Sequence, residues 1–473
     1  MDTLQRQLYP LLTIAALAFT YTAAFAQAPA IHFAPFSFKG TETAQVDADS
    51  GTLVVRADRR SANRATITLP IVRFRSTSQV KAAPIVYVSG GAGSGIAAAR
   101  GARFPFFMAL RDVGDVITLD LRGAGRSQPR VSCGFGFPDL SAPMTYAAIV
   151  SVLQGQTRTC ADSLRKTGAI LEGHNLREVV ADLDELRAAL GVKRISLVGI
   201  STGTQIVLEY VRRHPGNVER VVLAGVQAPD QNHHMPAGED AVVQALSAKL
   251  SSAGGETLVS QITRVLDSVT ARPRQVSIVT GRGDTTAIGI GRFDVQLLVA
   301  ATLGDRRQMS LLPQLIGAAA RGNYSPLASM KAAAARQGIT SAYEALMDCQ
   351  TSAPAPRLAR AYEQAKTALL GNATLDFPEV CAAWGVSPLD NSYRQPVSSR
   401  VAALLISGTL DGRTPVHNAE DAMSHLPNAM HLILDGASHG DDLFLSSPEV
   451  VPTIVKFLSG TSGLPRQRHL VVR

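Results

Sequence analysis

The chain has 473 residues, 46% of them hydrophobic and 18% charged, and its net charge is +8. This length and apolar fraction are enough to bury one large core, or one core with a second lobe. Outside 56–64 and 466–473 the positive residues are scattered, and no aromatic side chains alternate with them. The composition therefore indicates solvated surfaces and argues against a nucleic-acid-binding groove.

The first 26 residues have the pattern of a secretory signal peptide. Arg6 precedes an apolar stretch, LYPLLTIAALAFTYTAAFA, which ends on the small–x–small triplet Ala24-Phe25-Ala26. An uncleaved anchor or a buried helix is the alternative. We expect cleavage and export, most simply to a bacterial periplasm. Because no second stretch of about 18 apolar residues follows, we expect no stable membrane insertion after cleavage.

The chain contains four cysteines: Cys133, Cys160, Cys349 and Cys381. An even number in an exported protein predicts two disulfides, and three pairings are possible. Proximity in sequence favours Cys133–Cys160 and Cys349–Cys381, with four buried free thiols as the alternative. Since there is no C-x-x-C pair and no H-E-x-x-H motif, we expect no zinc or other metal site.

Strand and helix patterns alternate through the first half of the chain. The β-rich stretches 51–56 and 65–74 predict a leading hairpin. Further strands are predicted at 84–89, 115–120, 194–199 and 219–226, and helices from the loop after 89 to about 111, at 175–190 and at 204–214. Asn175 and Glu178 have the spacing of a capping box. This alternation predicts a parallel sheet with helices on both faces.

The pattern changes at about residue 231. Helical stretches dominate up to 395, with no convincing buried strand: 239–253, 293–304, 325–337 and 356–370. Strand and helix order then returns at 401–408, 417–426, 430–436 and 448–460. The sequence predicts an α/β core in two parts, 27–230 and 396–473, interrupted by a helical cap insertion at 231–395.

A G-x-S-x-G motif, GISTG, spans residues 199–203 between a predicted strand and a predicted helix. In that context Gly199 and Gly203 leave room for a sharp turn that holds the serine in a strained backbone. The turn would expose the hydroxyl of Ser201 at the C-terminal edge of the sheet, where ligands bind in open α/β folds. Ser201 is therefore the predicted nucleophile.

A serine nucleophile needs a base and an acid that orients the base. His439 lies in DGASHGDD, after the last predicted strand of the sheet, and Asp411 lies in SGTLDGRTP, after strand 401–408. The chain order Ser201, Asp411, His439 is the order of α/β-hydrolases. These three residues are the predicted catalytic triad.

Other acids and histidines fit these roles less well. Asp435 and Asp441 are close to His439 in sequence, and such neighbours rarely face one another across a site. Asp230, which follows strand 219–226, is a fallback acid. His233 and His234 have no acid or metal partner at ligand spacing, so we expect neither to act in catalysis.

Acyl transfer also needs an oxyanion hole. One N–H is expected from Thr202, the residue after the nucleophile, and the other from Gly91 in the loop SGGAGSG (89–95). This loop lacks the G-K-[ST] of a phosphate loop and an acid placed for a ribose. We therefore expect no nucleotide and no other cofactor.

Five motifs, SGGAGSG, LDLRGAGRS, GISTGT, GTLDGRTP and SHG, occur in this order. As a set they resemble the tripeptidyl/prolyl aminopeptidase group of α/β-hydrolases, over about residues 50–460. The CAAWG stretch (381–385) is similar to a cysteine–tryptophan element of that family. The resemblance implies an α/β-hydrolase fold, a serine peptidase that acts on free N-termini, and the same triad. It also implies that Asp120 and Arg122 are a structural pair that shapes its loop.

The chain departs from the family pattern at three positions. Ala92 stands where the family has proline, Thr202 where it has tyrosine, and Ala224 where aspartate is frequent. Aminopeptidases of this family hold the substrate amine with acidic residues of the cap. The candidates here, each also compatible with a solvated helix surface, are Glu239, Asp240, Asp294 and Glu344.

The sequence thus predicts a secreted serine aminopeptidase that releases residues or short peptides from free N-termini. The alternative is a carboxylesterase or lipase-like hydrolase of small esters with the same triad. A catalytically inactive binding protein of the cell envelope is a third hypothesis, against which the complete set of triad residues argues. In both enzymatic hypotheses the expected partner is a substrate, a small peptide or a small ester.

Overall fold

The computed structural model describes residues 31–41, 44–80, 82–250, 256–279, 283–338, 341–461 and 463–472. The predicted signal peptide (1–26) lies outside these ranges. Within them, no helix combines the length and the apolar character that a membrane crossing requires.

A ten-stranded, mostly parallel sheet forms the centre of the molecule, and a two-stranded hairpin stands apart from it. The described strands are β1 (Ala34–Lys39), β2 (Gln45–Arg56), β3 (Thr66–Phe74), β4 (Ile85–Val88), β5 (Val116–Leu119), β6 (Ile195–Ser201), β7 (Val218–Val226), β8 (Arg274–Val279), β9 (Thr285–Ile290), β10 (Ala402–Gly408), β11 (Ala429–Asp435) and β12 (Gln467–Val471). The order in the large sheet is β1-β2-β3-β5-β4-β6-β7-β10-β11-β12.

The sheet is antiparallel at one end and parallel elsewhere. Strands β1 to β3 pair antiparallel, and β3 pairs antiparallel with β5. From β5 to β12 every neighbouring pair is parallel. The central strands are runs of Val, Ile and Leu that are buried along almost their whole length. Such runs are expected where helices cover both faces of a parallel sheet.

Helices cover both faces. They are α1 (Gly95–Arg100), α2 (Phe104–Leu110), α3 (Tyr146–Lys166), α4 (Leu176–Ala189), α5 (Thr202–Arg213), α6 (Pro236–Leu250), α7 (Leu258–Ala271), α8 (Arg292–Thr302), α9 (Arg306–Met309), α10 (Leu312–Ala320), α11 (Ser325–Gln337), α12 (Ala342–Thr351), α13 (Ala355–Ala365), α14 (Val416–Met423), α15 (Asp442–Leu445) and α16 (Val450–Leu458). One apolar cluster joins the sheet to α3, α4, α5, α12 and α14, and the opposite cluster joins it to α1, α2, α15 and α16.

The chain between β7 and β10 contains α6 to α13 and the hairpin β8–β9. Helices α6 to α11 share an apolar cluster of their own with β9. The prediction that this region has no buried strand was wrong, because 288–290 of β9 are buried. The strand was missed because only half of it is buried, and the facing strand β8 alternates between exposed and partly exposed positions. The boundaries at 231 and 395 stay predictions.

Several elements outside the region between β7 and β10 were not predicted: β1, α3, α15 and β12. Inside that region the helices α7, α9, α10 and α12 and the strands β8 and β9 were also not predicted. The buried face of α3 includes Thr157 and the disulfide-bonded Cys160, so its apolar periodicity is interrupted. Strand β12 has one buried residue, Leu470, and a nearly exposed edge strand carries little hydrophobic signal.

Only half of the predicted capping box at α4 forms. The side chain of Asn175 accepts a hydrogen bond from the N–H of Glu178 at 3.0 Å. The carboxylate of Glu178 accepts from Arg59 instead, and Arg59 also reaches Asp182 at 2.7 Å. A tertiary ion pair therefore replaces the local contact and ties the loop after β2 to α4.

Asp120 and Arg122 do shape the loop after β5, but they bind different partners and not each other. Asp120 accepts hydrogen bonds from the hydroxyl of Ser94 and from the N–H of Arg126. The fully buried Arg122 forms a two-pronged ion pair with Asp182 at 2.6 and 2.7 Å. The inference of a pair within the loop is corrected accordingly.

Both disulfides form with the pairing that sequence proximity favoured, Cys133–Cys160 and Cys349–Cys381. The second bond joins α12 to the turn Pro378–Trp384. The Trp384 ring of that turn is fully buried and packs edge-on against Phe135.

Candidate active site

Ser201 lies in a strained turn between β6 and α5. Its φ is 54° and its ψ is −130°, a backbone conformation that costs a non-glycine residue about 1–3 kcal/mol. A Cβ added to Gly203 would lie 2.4 Å from the carbonyl oxygen of Val88, and one added to Gly199 would lie 2.7 Å from that of Gly203. The two glycines of the motif are therefore required by close backbone packing.

The loops after β10 and β11 bring Asp411 and His439 together. Nδ1 of His439 lies 2.8 Å from Oδ2 of Asp411. The same oxygen accepts a hydrogen bond from the hydroxyl of Thr414 at 2.7 Å, and the other carboxylate oxygen accepts from the N–H of Thr414 at 2.8 Å. Burial alone would raise the pKa of Asp411, but His439 and the bonds from Thr414 lower it overall. The acid is therefore held ionised beside the imidazole.

The imidazole of His439 packs beside the strand that follows the nucleophile. In the pairing of β6 with β7, Ile200 faces Ala224 and Ser201 faces Val226, so Gly225 is skipped. Gly225 has a φ of +60°, and a Cβ there would lie 3.0 Å from Cε1 of His439. The ring therefore lies over the position of β7 next to Ser201.

The other acids weighed for this role have different partners. Asp435 pairs with His469 and Asp441 with Arg103. Asp230 lines a separate cavity with Glu420 and other residues. Among the carboxylates that the structure describes, Asp411 is the one that pairs with His439.

The glycine loop after β4 passes beside the nucleophile. A Cβ added to Gly90 would lie 3.0 Å from Cβ of Ser201, and Gly91 is the next residue. Thr202 is the first residue of α5, and an N–H in a first helical turn has no acceptor inside the helix. Both N–H groups lie close to the turn, and their role as an oxyanion hole stays a prediction.

A cavity of about 200 Å³ opens at Ser201. One part of its wall is apolar: Phe135, Leu153, Ala345, Phe377, Val380 and the Cys349–Cys381 bridge. The remainder is polar and includes three carboxylates and one arginine: Ser201, Thr202, Thr157, Gln227, Asn232, His233, His234, Glu344, Asp348, Asp376 and Arg413.

Three carboxylates give the cavity an acidic wall. Glu344 and Asp348 stand one turn apart on α12, and Asp376 lies just before the turn Pro378–Trp384. A Cβ added to Gly91 would lie 2.0 Å from Oε1 of Glu344, so this carboxyl group touches the loop beside Ser201. Burial raises the pKa of Glu344 and of Asp348.

Asp376 is paired with two histidines. Its carboxylate lies 3.0 Å from Nδ1 of His234 and 3.7 Å from Nδ1 of His233. Burial opposes ionisation of Asp376, but the histidines lower its pKa well below the usual range. Against the effect of burial, Asp376 raises the pKa of His234 to about 9. The sequence shows no acid at ligand spacing from the two histidines, because their acid partner lies more than 140 residues further along the chain.

The four candidate amine-binding acids separate into two groups. Glu344 lines the cavity, and Glu239 lies 3.8 Å from His234 with a pKa that burial raises to about 8. Asp240 accepts from the N–H of Leu369, and Asp294 is buried in an ion pair with Lys331, so both are structural. Sequence reasoning missed Asp348 and Asp376. The spacing of Asp348, four residues after Glu344, could have revealed the first of these.

The sequence matches the family profile of the α/β-hydrolase fold over residues 83–441, and this match covers most of the chain. The chain belongs to the α/β-hydrolase family. The fold class predicted from the sequence is thereby confirmed.

Three curated relatives match this α/β-hydrolase over a limited segment. The putative hydrolase YuaR of Escherichia coli is 30% identical over 33% of this chain and 32% of its own length. The serine protease Hip1 of Mycobacterium tuberculosis is 28% identical over 38% and 36%. The probable proline iminopeptidase of Streptomyces coelicolor is 32% identical over 30% and 32%. The chain spans about a third of the length of these relatives.

Replacement of Gly225 by alanine tests the placement of His439. The new methyl group would overlap Cε1 of His439 and the hydroxyl of Thr414, and the positive φ adds strain. We expect labelling of Ser201 by a fluorophosphonate probe to slow more than ten-fold. Gly216→Ala is the matched control, because nothing lies within 4 Å of a Cβ at that position. Equal labelling rates in the two folded variants would contradict this placement of the imidazole.

Proposed function

We propose that this α/β-hydrolase is a serine aminopeptidase that works through a triad of Ser201, His439 and Asp411. The observation that carries the proposal is the acidic wall, which lies in the same cavity as Ser201. Carboxylates that stand close together in a partly enclosed cavity repel one another and are costly without a partner of opposite charge. A substrate with a free ammonium group would supply the missing positive charge one residue away from the bond to be cleaved.

In the proposed reaction His439 takes the proton of the Ser201 hydroxyl as the oxygen attacks the substrate carbonyl. Asp411 orients the imidazole and stabilises its protonated form. The N–H groups of Gly91 and Thr202 hold the oxyanion. His439 then protonates the leaving amine, and water attacks the acyl-enzyme to release the acyl part. Every step uses groups of this chain, so the proposed reaction needs no cofactor.

The amine would bind between Glu344 and Asp348. Glu344 touches the loop of Gly91, which places its carboxyl group beside the proposed oxyanion hole. The third carboxylate, Asp376, is already balanced by His233 and His234. We therefore infer that Glu344 and Asp348 bind the ammonium group, and that Asp376 stays paired with the two histidines and does not bind the substrate.

The named relatives support a peptidase. Hip1 carries the name of a serine protease and the Streptomyces relative that of a proline iminopeptidase. Each relative is matched over only about a third of its own length. Their named activities therefore support the proposal for this chain without establishing it.

We also propose that the protein is exported, to the periplasm in a bacterium. The two disulfides support this, because such bonds persist in oxidising compartments. N-terminal sequencing of protein from a periplasmic fraction should give a chain that starts near residue 27. A chain that keeps residues 1–26, recovered from the cytoplasm, would contradict the proposal.

A substrate panel tests the proposed reaction. It compares aminoacyl, dipeptidyl and tripeptidyl p-nitroanilides with acyl p-nitrophenyl esters, each with a free and a blocked amine. We expect the free-amine amides to have the highest kcat/KM relative to their spontaneous hydrolysis. Ser201→Ala should abolish both hydrolysis and fluorophosphonate labelling.

Two outcomes would contradict the proposal. A higher kcat/KM relative to spontaneous hydrolysis for blocked esters than for every free-amine amide would support the esterase alternative. Persistent labelling of folded Ser201→Ala would remove Ser201 as the nucleophile.

Replacement of Glu344 by glutamine should lower the preference for a free amine. A charge-assisted hydrogen bond of this kind corresponds to about ten-fold to a hundred-fold in kcat/KM, and the loss should fall mainly on KM. Blocked substrates serve as the reference. Glu363→Gln, a charge loss on the exposed face of α13, is the matched control. An unchanged ratio of free to blocked substrate in Glu344→Gln would contradict amine binding at this residue.

The same site predicts a pH dependence. Ionised Glu344 is the form that binds an ammonium group, and burial raises the pKa of this carboxyl group. The KM of free-amine substrates should therefore fall as the pH rises through this raised pKa, and rise again above about pH 8, where the amine loses its proton. In Glu344→Gln the fall on the acidic side should become smaller.

A further inference from the structure

Building on the proposed aminopeptidase function, we propose that Arg413 forms a carboxylate-binding subsite for the leaving group. The preferred substrates are then short peptides in which a carboxylate follows the cleaved bond. This carboxylate is either the free C-terminus of a dipeptide or an acidic side chain.

Arg413 is an exposed arginine that lines the cavity of Ser201. Among the residues that the structure describes, none forms an ion pair or a hydrogen bond with its guanidinium. Three carboxylates line the same cavity, yet Asp376 pairs with histidines, and Glu344 lies against Gly91. The guanidinium is therefore a positive charge with its donors available to a ligand.

The backbone at Arg413 belongs to the turn of the proposed catalytic acid. The N–H of Arg413 donates to Oδ1 of Asp411 at 2.9 Å, and Asp411 contacts His439. The backbone of Arg413 therefore lies on the side of the site where His439 would protonate the leaving group. The acidic wall on α12 would hold the amine of the acyl part, so the two ends of a short peptide would meet opposite charges.

The cap holds the side chain of Arg413 in place. A Cβ added to Gly304 would lie 2.1 Å from Nε of Arg413, so the arginine packs directly against this glycine between α8 and α9. A Cβ added to the neighbouring Gly412 would lie 3.1 Å from Cβ of Leu303. Contact with the cap limits the reach of the guanidinium, and a positioned guanidinium is well suited to the two oxygens of a carboxylate.

The positive charge of Arg413 also acts on the acidic wall. Burial raises the pKa of Glu344, and the attraction of Arg413 partly offsets this rise. The two groups therefore act on the same cavity, one negative and one positive, without forming an ion pair that would close it.

The test compares four dipeptides that share the first residue X, chosen as the best aminoacyl p-nitroanilide of the panel. X-Ala is compared with X-Ala-NH2 for the C-terminal carboxylate, and X-Asp-NH2 with X-Asn-NH2 for an acidic side chain. Each kcat/KM is divided by that of the X-p-nitroanilide for the same variant, so a general loss of activity cancels. The variants are Arg413→Gln, Arg413→Lys and, as the control, Arg307→Gln, an exposed cap arginine outside the cavity.

We expect the wild type to favour the carboxylate-bearing member of at least one pair about ten-fold or more. This preference should disappear in Arg413→Gln, persist in part in Arg413→Lys and remain in Arg307→Gln. The pair that shows it identifies the source of the carboxylate. Hydrolysis of the X-p-nitroanilide with no preference in either pair, or a preference that survives in Arg413→Gln, would overturn the subsite and leave the aminopeptidase proposal standing. Failure to hydrolyse any free-amine aminoacyl, dipeptidyl or tripeptidyl substrate would overturn the aminopeptidase proposal itself.

Discussion

The close backbone packing around Ser201 is the constraint on which the candidate site depends. The end of β4, the end of β6 and the start of α5 approach so closely that a side chain at Gly203 would overlap the carbonyl of Val88. The positive φ of Ser201 is strained, and hydrogen bonding of β6 to strands on both sides holds it in place. The same packing brings the glycine loop after β4 beside the serine.

The order of the strands brings the other two predicted triad residues to the edge of the sheet at which Ser201 lies. Because β6, β7, β10 and β11 are neighbours and parallel, the loops at their carboxyl ends share one edge. Asp411 and His439 come from two of these loops, and His439 packs against Gly225 of β7, which is skipped in the pairing with β6. Residues more than 200 positions apart in sequence thus meet through strand order alone, and no contact from the region 231–395 is needed to pair the acid with the histidine.

The sequence could predict the parts of the site that lie at the ends of apolar strands, and not the parts that lie in irregular segments. Ser201, Asp411 and His439 each follow a strongly apolar strand, so local pattern and chain order were enough to select them. The acidic wall has no such marker: Asp376 sits in an irregular turn, and its histidine partners lie about 140 residues earlier. The fold shows the same limit, since buried strands were found, while β1, β12 and the half-buried β9 were missed for lack of a continuous apolar run.

The acidic wall lies between β7 and β10 in sequence, but it packs with the cluster that contains the sheet. The apolar residues of α12, among them Leu346 and Met347, join the cluster that contains the sheet, whereas α6 to α11 form a separate cluster. The Cys349–Cys381 disulfide then fixes α12 to the turn after Asp376. The chain segments that carry all three carboxylates are thereby packed against or linked to the core that also contains Ser201. The distance from the wall to the nucleophile is consequently set by core packing, while Arg413, the arginine of the cavity lining, packs against Gly304 between α8 and α9.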